Sequence, residues 1–235
     1  MPIFFFVFLA LLALPAAWPG VDLLASGVFY RAGAGRFFLA YNPVFVALHW
    51  IAYYGARVLG MAFAVMAVYC SLRRASPPSD PSGEPFLGLD AKAWLFLLVA
   101  LVVGPGLVAN AGLKDHWGRA RPREVAELGG NAAFSPFYKP QFQNAHTNGS
   151  FISGDGAFGF FLPAFAYVVP RRVARRVFWG CMGGGALFGF ARLAMGAHFL
   201  SDIIYAAFLM LTTVACVHAA MYGRRETIAC LRSWL

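Results

Sequence analysis

Residues 92–112 read KAWLFLLVALVVGPGLVANAG, and the only charged residue in this stretch is Lys92 at its first position. A helix needs about 20 mainly apolar residues to cross the hydrocarbon core of a bilayer. This segment has that length and carries no charge inside it. We therefore predict that the chain is held in a membrane and that this segment is one of its spans.

Five more apolar segments share this character. The predicted spans cover roughly 3–20, 44–71, 92–112, 152–169, 177–196 and 200–221. They predict an all-α, polytopic membrane helix bundle of about six transmembrane helices, forming a single domain over residues 1–235. The first segment resembles a signal peptide in its position. However, no Lys or Arg precedes its apolar core, so we expect it to remain as a helix.

The composition supports a membrane location. The chain is 60% hydrophobic and 12% charged, whereas soluble domains carry about 25% charged residues. The net charge of +9 does not indicate nucleic-acid binding, because the basic residues lie mostly in short runs between apolar segments. The four cysteines form no CxxC pair, so we expect small buried apolar side chains and neither a disulfide framework nor a zinc site.

The connecting segments predict the orientation. If the spans alternate, one side of the membrane carries ten basic residues: Arg73, Arg74, Lys92, Arg171, Arg172, Arg175, Arg176, Arg224, Arg225 and Arg232. The positive-inside rule assigns that side, with both termini, to the cytoplasm. The opposite side then holds the long outer loop 113–151, and loops of that length are often functional.

Three polar clusters fall at the outer ends of the predicted spans. They are Lys114-Asp-His-Trp-Gly-Arg-Ala-Arg121-Pro122, then Ser150-Phe-Ile-Ser153-Gly154-Asp155-Gly156, and finally Arg192 with His198 and Asp202. The orientation depends on charge and hydropathy alone, yet it brings all three clusters to one membrane surface. This agreement favours one shared site.

All three clusters contribute residues that suit the binding of phosphate. Arg binds phosphate through paired hydrogen bonds and Lys binds it as a point charge, so Lys114, Arg121 and Arg192 would form a clamp. Ser153 and Gly154 would begin a helix, and helix N-termini favour anions. Taken singly, these residues have commoner uses, as anchors at the membrane interface or as small residues between helices.

His198 and Asp202 suit nucleophilic catalysis. They are four residues apart, so they share one face of a helix. A carboxylate that accepts from one imidazole nitrogen fixes the tautomer and leaves the other nitrogen free to attack. Taken alone, His198 is equally consistent with a nucleophile and with a hydrogen-bonded histidine at the membrane interface.

Together the clusters resemble the type-2 phosphatidic acid phosphatase family, the membrane branch of a superfamily that includes the vanadium haloperoxidases. Lys114 to Arg121-Pro122 matches its first motif, a Lys, six residues and Arg-Pro. Its third motif, Arg, five residues, His, three residues and Asp, is matched by Arg192, His198 and Asp202. The resemblance covers about residues 90–220.

The second motif departs from the family. It is normally Pro-Ser-Gly-His, and here it reads Ile152-Ser153-Gly154-Asp155, which preserves the spacing without the Pro or the His. Bacterial relatives that resemble lipid A phosphatases carry an acidic residue in this motif. The segment from Asp22 to Asn42-Pro43 is also similar to those relatives.

The resemblance implies a role for each matching residue. Phosphate would be bound by Lys114, Arg121, Ser153, Gly154 and Arg192. His198 would be the nucleophile that forms a phosphohistidine, and Asp202 would orient it. No metal or other cofactor is implied.

The general acid of the family falls on Asp155. A carboxyl group protonates a leaving alkoxide only if burial raises its pKa more than the nearby cations lower it. Three possibilities remain open. Asp155 could be a protonated acid, His116 or His146 could donate the proton instead, or the protein could be weak or inactive. Arg119 is a further candidate for substrate contact.

His49 and Arg57 lie eight residues apart within the second predicted span. An Arg inside a span is costly and suggests a function by default. Arg57 is therefore a candidate for contact with a second phosphate or a sugar of the substrate, and the spacing places His49 within the same broad stripe of the helix. The alternative is an Arg that bonds to neighbouring helices.

The function predicted from these features is hydrolysis of a phosphomonoester or diphosphate on a lipid head group, at the outer leaflet of a bacterial inner membrane. Lipid A and phosphatidylglycerol phosphate are the leading substrates. Phosphate transfer to another lipid, and a non-catalytic lipid-phosphate binder or transporter, remain alternatives. The expected partners are the lipid substrate and membrane lipids, with no nucleic acid and no obligate protein partner.

Overall fold

The computed structural model describes residues 2–74, 88–145 and 147–234. Nearly all of the regular structure in this part of the chain is helical, apart from a small antiparallel hairpin of β1 (Tyr30–Arg31) and β2 (Arg36–Phe37). The α-helices are α1 (Pro2–Ala17), α2 (Gly20–Gly27), α3 (Pro43–Arg74), α4 (Ala91–Leu101), α5 (Asp115–Trp117), α6 (Gly154–Phe161), α7 (Arg171–Ala194), α8 (Leu200–Tyr222) and α9 (Arg224–Trp234). The predicted helical membrane bundle is confirmed.

The described residues contain fewer candidate spans than the six predicted. In the described residues, four stretches are long and apolar enough to cross a membrane: Pro43–Arg73, Ala91–Glu124, Arg171–Ala194 and Leu200–Tyr222. The second of these continues from α4 into a π-helical segment, Val102–Lys114. A fifth span results only if α1 and α2, which meet at 99°, are counted together. The predicted count of six is therefore not confirmed.

The break between α1 and α2 has a simple cause. Pro19 stands at the junction, and a proline lacks the N–H that would continue the hydrogen-bond ladder of a helix. The chain turns there, and α2 runs back over the bundle, where Asp22 is buried. The predicted first span therefore ends earlier than residue 20, and α2 brings a carboxylate towards the outer end of α8.

The predicted span at 152–169 is short in the structure. It consists of α6 followed by a 3₁₀ helix, Leu162–Tyr167, that contains Pro163. With rises of about 1.5 and 2.0 Å per residue, the two pieces together are about 24 Å long, less than the roughly 30 Å of the hydrocarbon core. This segment lies inside the bundle, and six of the eight residues of α6 are buried.

Close packing holds α6 at the centre. A Cβ atom placed on Gly159 would lie 2.7 Å from Cα of Gly185 in α7, which is closer than atoms approach. Glycine at this position therefore allows the two helices to touch backbone to backbone. The packing fixes the N-terminus of α6, and with it Asp155, against the outer end of α7.

The outer segment after α5 is irregular but well packed. The indole N–H of Trp117 donates to the carbonyl of Phe137 at 2.7 Å, and the amide of Ser150 donates to the carbonyl of Arg119 at 3.0 Å. Val125 is completely buried. These contacts bring the ends of the outer loop together above the bundle.

The cysteines differ in part from expectation. Cys230 is buried, whereas Cys70 and Cys181 are half-buried and Cys216 is exposed on the helix surface. The exposed or half-buried thiols lie on helix surfaces that we expect to face lipid. An apolar side chain is stable in lipid without being buried in the protein.

Candidate active site

The three sequence clusters meet at the outer end of the bundle. Lys114 ends the π-helical segment, Asp155 lies in the first turn of α6, and Arg192 lies in the last turn of α7. His198 follows in the short connection to α8, and Asp202 lies in the first turn of α8. The site is therefore built from four helix ends, which packing holds in place.

His198 has a defined tautomer. Its Nδ1 atom is 2.7 Å from the carbonyl oxygen of Ser150. A carbonyl oxygen can only accept, so Nδ1 carries the proton and Nε2 presents a lone pair. Burial lowers the pKa of His198 to about 4, and the charges of Arg192 and Lys114 act in the same direction. The imidazole is therefore neutral near pH 7, as a nucleophile requires.

Asp202 supports His198 less directly than predicted. Its Oδ2 atom is 3.7 Å from Nδ1 of His198, which is too long for a hydrogen bond. That oxygen accepts instead from the hydroxyl of Ser150 at 2.6 Å and from the amide of Phe199 at 2.8 Å. Asp202 thus holds Ser150, whose carbonyl then orients the imidazole. Sequence analysis missed this role of Ser150, because a backbone carbonyl leaves no mark in a sequence.

Arg119 is not a substrate contact. Its side chain has no exposed surface and donates to Asp22 at 2.8 Å, to Asp202 and to the hydroxyl of Ser201 at 2.8 Å. Asp22 in turn accepts from the amide of Ser201 at 2.8 Å. This buried network joins α2 to the start of α8 and fixes the carboxylate of Asp202, so Arg119 acts as an internal counter-charge.

The remaining cations have unused hydrogen-bonding capacity. The Nε atom of Arg121 is buried and has no hydrogen-bond partner in the described part of the chain. The Nε atom of Arg192 is also buried and makes no hydrogen bond there, but it lies 3.2 Å from Oδ2 of Asp155 as an ion pair. Arg121 interacts electrostatically with Lys114 and with Arg192. Buried donors are normally satisfied, so this cluster has the character of an anion site.

Ser153 and Gly154 shape this site in a way that the sequence did not predict. Ser153 is completely buried, and its hydroxyl caps α6 by accepting from the amide of Gly156 at 3.1 Å. In this structure Ser153 therefore serves as the cap of α6. At Gly154, an added Cβ would lie 3.3 Å from Oδ1 of Asn110 and 3.6 Å from Nζ of Lys114, so the ammonium group lies close to the helix N-terminus.

Asp155 lies between two cationic or proton-donating groups. Its Oδ2 atom is 2.7 Å from Nδ1 of His49 and 3.2 Å from Nε of Arg192. A hydrogen-bond donor, a guanidinium and a helix N-terminus all favour the ionised carboxylate. The expectation that Asp155 is itself a protonated acid is therefore not supported, because a carboxylate has no proton to give.

Three further candidates were named from the sequence: His116, His146 and Arg57. His116 is exposed on α5, and His146 lies outside the described residues. Arg57 is exposed on α3, where its guanidinium lies 3.7 Å from the ring centre of Tyr53 and donates to the carbonyl of the same residue. It bonds within its own helix, about 12 Å along the axis from His49, so the two side chains do not form one subsite.

The sequence matches a known family and several bacterial proteins. Residues 93–226 match the PAP2 superfamily. The chain belongs to the PAP2 superfamily. A lipid A 4'-phosphatase of Francisella tularensis subsp. novicida (strain U112) is 31% identical over 230 residues, which cover 94% of this chain and 98% of that protein. A lipid A 4'-phosphatase of Rhizobium leguminosarum is 28% identical over 211 residues, covering 85% and 87%. No solved structure matches the chain.

Membership in the PAP2 superfamily confirms the resemblance seen in the sequence motifs. Together with these relatives it makes the chain a phosphoric monoester hydrolase. The apolar helices and the bacterial relatives make it a bacterial membrane protein.

Proposed function

We propose that this PAP2 protein removes a phosphate from a lipid head group through a phosphohistidine on His198. The observation that carries the proposal is the state of that residue, a neutral imidazole whose Nδ1–H is fixed on Ser150 beside a cluster of buried cations. Binding of an anion requires only the cations. An oriented, unprotonated Nε2 is what nucleophilic attack on phosphorus needs.

The reaction proceeds in two displacements. Lys114, Arg121 and Arg192 bind the phosphate oxygens and stabilise the charge that builds in the transition state. The lone pair of His198 Nε2 forms a bond to phosphorus as the bond to the lipid oxygen breaks, and the leaving oxygen takes up a proton. Water then attacks the phosphohistidine, the P–N bond breaks, and inorganic phosphate leaves with His198 neutral again.

A lipid is the natural substrate because the site lies at the end of a membrane bundle. Lipid A and phosphatidylglycerol phosphate are the two leading candidates. The names of the relatives from Francisella and Rhizobium favour lipid A, and more narrowly its 4'-phosphate. The distribution of basic residues favours the inner membrane, with the site facing the periplasm and both termini in the cytoplasm.

The test is phosphate release by the purified protein in detergent, over a panel of lipid A, phosphatidylglycerol phosphate, phosphatidic acid and polyprenyl diphosphate. We expect release by the wild type, with the His198→Ala variant as an inactive control that still binds lipid. The wild type should also acquire an acid-labile phosphoryl group, which the variant should not.

Each alternative has its own result. A folded wild-type protein that binds these lipids but releases no phosphate would be a lipid-phosphate binder. Phosphate recovered on a second lipid instead of in solution would identify a transferase. Turnover or phosphorylation that survives in His198→Ala would refute the nucleophilic role.

A further inference from the structure

Neither His198 nor Asp155 can donate the proton that the proposed reaction needs. An alkoxide leaving from a lipid is a strong base, so the displacement needs an acid within hydrogen-bond reach of the leaving oxygen. Asp155 is held as a carboxylate and His198 is the attacking base. The donor must therefore be another titratable group at the same end of the bundle.

His49 is placed to fill this role. It projects from α3, and its Nδ1 atom is 2.7 Å from Oδ2 of Asp155. The same carboxylate oxygen lies 3.2 Å from Nε of Arg192, a member of the phosphate cluster. A single oxygen atom therefore joins the imidazole to the phosphate-binding guanidinium, and the ring lies at the edge of the site.

Exposure and hydrogen bonding suit an acid at this position. The side chain of His49 is 30% exposed, in contrast to 12% for Asp155, so its ring is open to a substrate while its anchor is covered. Asp155 accepts from Nδ1, and this fixes the ring and leaves Nε2 to carry the transferable proton.

We propose that His49 is the general acid of this protein and that Asp155 is the residue that positions it. The assignment rests on the proposed phosphatase function. As His198 attacks phosphorus, the proton on His49 Nε2 passes to the leaving oxygen, and His49 becomes neutral. In the second displacement neutral His49 takes a proton from the attacking water, which restores the imidazolium as phosphate leaves.

A purely structural role for the pair is the competing explanation, in which the hydrogen bond ties α3 to α6. The leaving group separates the two explanations. A p-nitrophenolate leaves without protonation, whereas an alkoxide requires it, so loss of a general acid affects an alkyl phosphate selectively. Loss of a structural contact would affect both substrates alike.

The experiment compares octyl phosphate with p-nitrophenyl phosphate as substrates of the full-length protein in detergent. For His49→Ala we expect the rate of phosphoenzyme formation from octyl phosphate, followed by rapid alkaline quench, to fall by about 10²-fold or more, within the usual contribution of a general acid. The rate of phosphoenzyme formation from p-nitrophenyl phosphate should fall by less than about tenfold, and added imidazole should restore part of the activity on octyl phosphate.

His49→Asn provides the sharpest test, because its amide can still donate to Asp155 but cannot transfer a proton. It should lose activity on octyl phosphate as His49→Ala does. Ile51→Ala is the matched control, since Ile51 lies on the same helix with 55% of its surface exposed, and it should behave as wild type on both substrates.

Asp155→Asn tests the positioning role. It should lower the rate of phosphoenzyme formation mainly from octyl phosphate. In combination with His49→Ala it should cause little further loss, because both changes disable the same proton transfer. Additive losses in the double variant would show that Asp155 acts independently of His49.

The outcomes separate this assignment from the proposed function. Suppose that the wild type releases lipid phosphate, but His49→Asn stays active or the loss of activity is equal on both substrates. His49 is then a structural residue, and the proposed phosphatase function is retained. If hydrolysis of octyl phosphate depends on His49 while no lipid is hydrolysed, His49 is the general acid but the proposed lipid substrate is wrong. If His116→Ala alone shows the selective loss, that histidine is the donor. Absence of any hydrolysis overturns both.

Discussion

Replacing Arg119 with Met should destabilise the protein severely, because the change removes a buried cation that two carboxylates share. The side chains of Asp22 and Asp202 have 1% and 0% exposed surface, and both bind the Arg119 guanidinium. Removing one partner of a buried ion pair costs about 3–5 kcal/mol, since a charge is left uncompensated. Here two carboxylates lose their partner, so the upper part of that range applies.

The loss is large against a typical total stability of about 5–15 kcal/mol. It would be measured by thermal unfolding of purified protein in a fixed detergent, as the shift of the midpoint relative to wild type. Arg123→Met is the matched control, because Arg123 is exposed and only its backbone amide is bonded, at 3.1 Å to the carbonyl of Gly196. Adding Asp22→Asn to Arg119→Met should recover part of the lost stability, since it removes one of the two uncompensated buried carboxylates.

An Arg119→Met variant that unfolds at the same temperature as Arg123→Met would refute this reasoning. Such a result would mean that the carboxylates find water or other donors, and that the network does not hold α2 against α8.

The remaining predictions concern the nucleophile and the helix contact. Because burial lowers the pKa of His198 to about 4, the neutral imidazole should persist as the pH falls from 7 towards 5. Phosphoenzyme formation from p-nitrophenyl phosphate, measured as the burst of p-nitrophenol release on rapid mixing, should decline only near pH 4. A decline centred near the ordinary histidine pKa of about 6.5 would contradict a buried, neutral His198. Gly159→Ala should cost about 1–3 kcal/mol, because the added Cβ would lie 2.7 Å from Cα of Gly185. Gly183→Ala, whose Cβ would meet no atom within 4 Å, is the control for thermal unfolding, and equal stability of the two variants would show that the helices separate without cost.

Local features of the sequence were enough to predict the membrane bundle and the surface at which its polar clusters meet. Runs of apolar residues reveal spanning helices such as α8, because lipid requires an apolar surface over a fixed length. The motif spacings revealed Lys114, Arg192 and His198, since each lies within a short stretch beside a helix end. The number of spans was less predictable, because hydropathy does not distinguish a lipid-facing helix from the short α6 buried inside the bundle.

The partners of the site residues were decided by tertiary structure alone. His49 meets Asp155 across 106 positions of sequence, and Arg119 meets Asp22 across 97. From the sequence, His49 could be related only to Arg57 on the same helix, because helical periodicity describes one helix at a time. His198 depends on the carbonyl of Ser150, a group that every residue possesses. Which side chains and carbonyls meet is set by the packing of separate helices, and no local pattern encodes that packing.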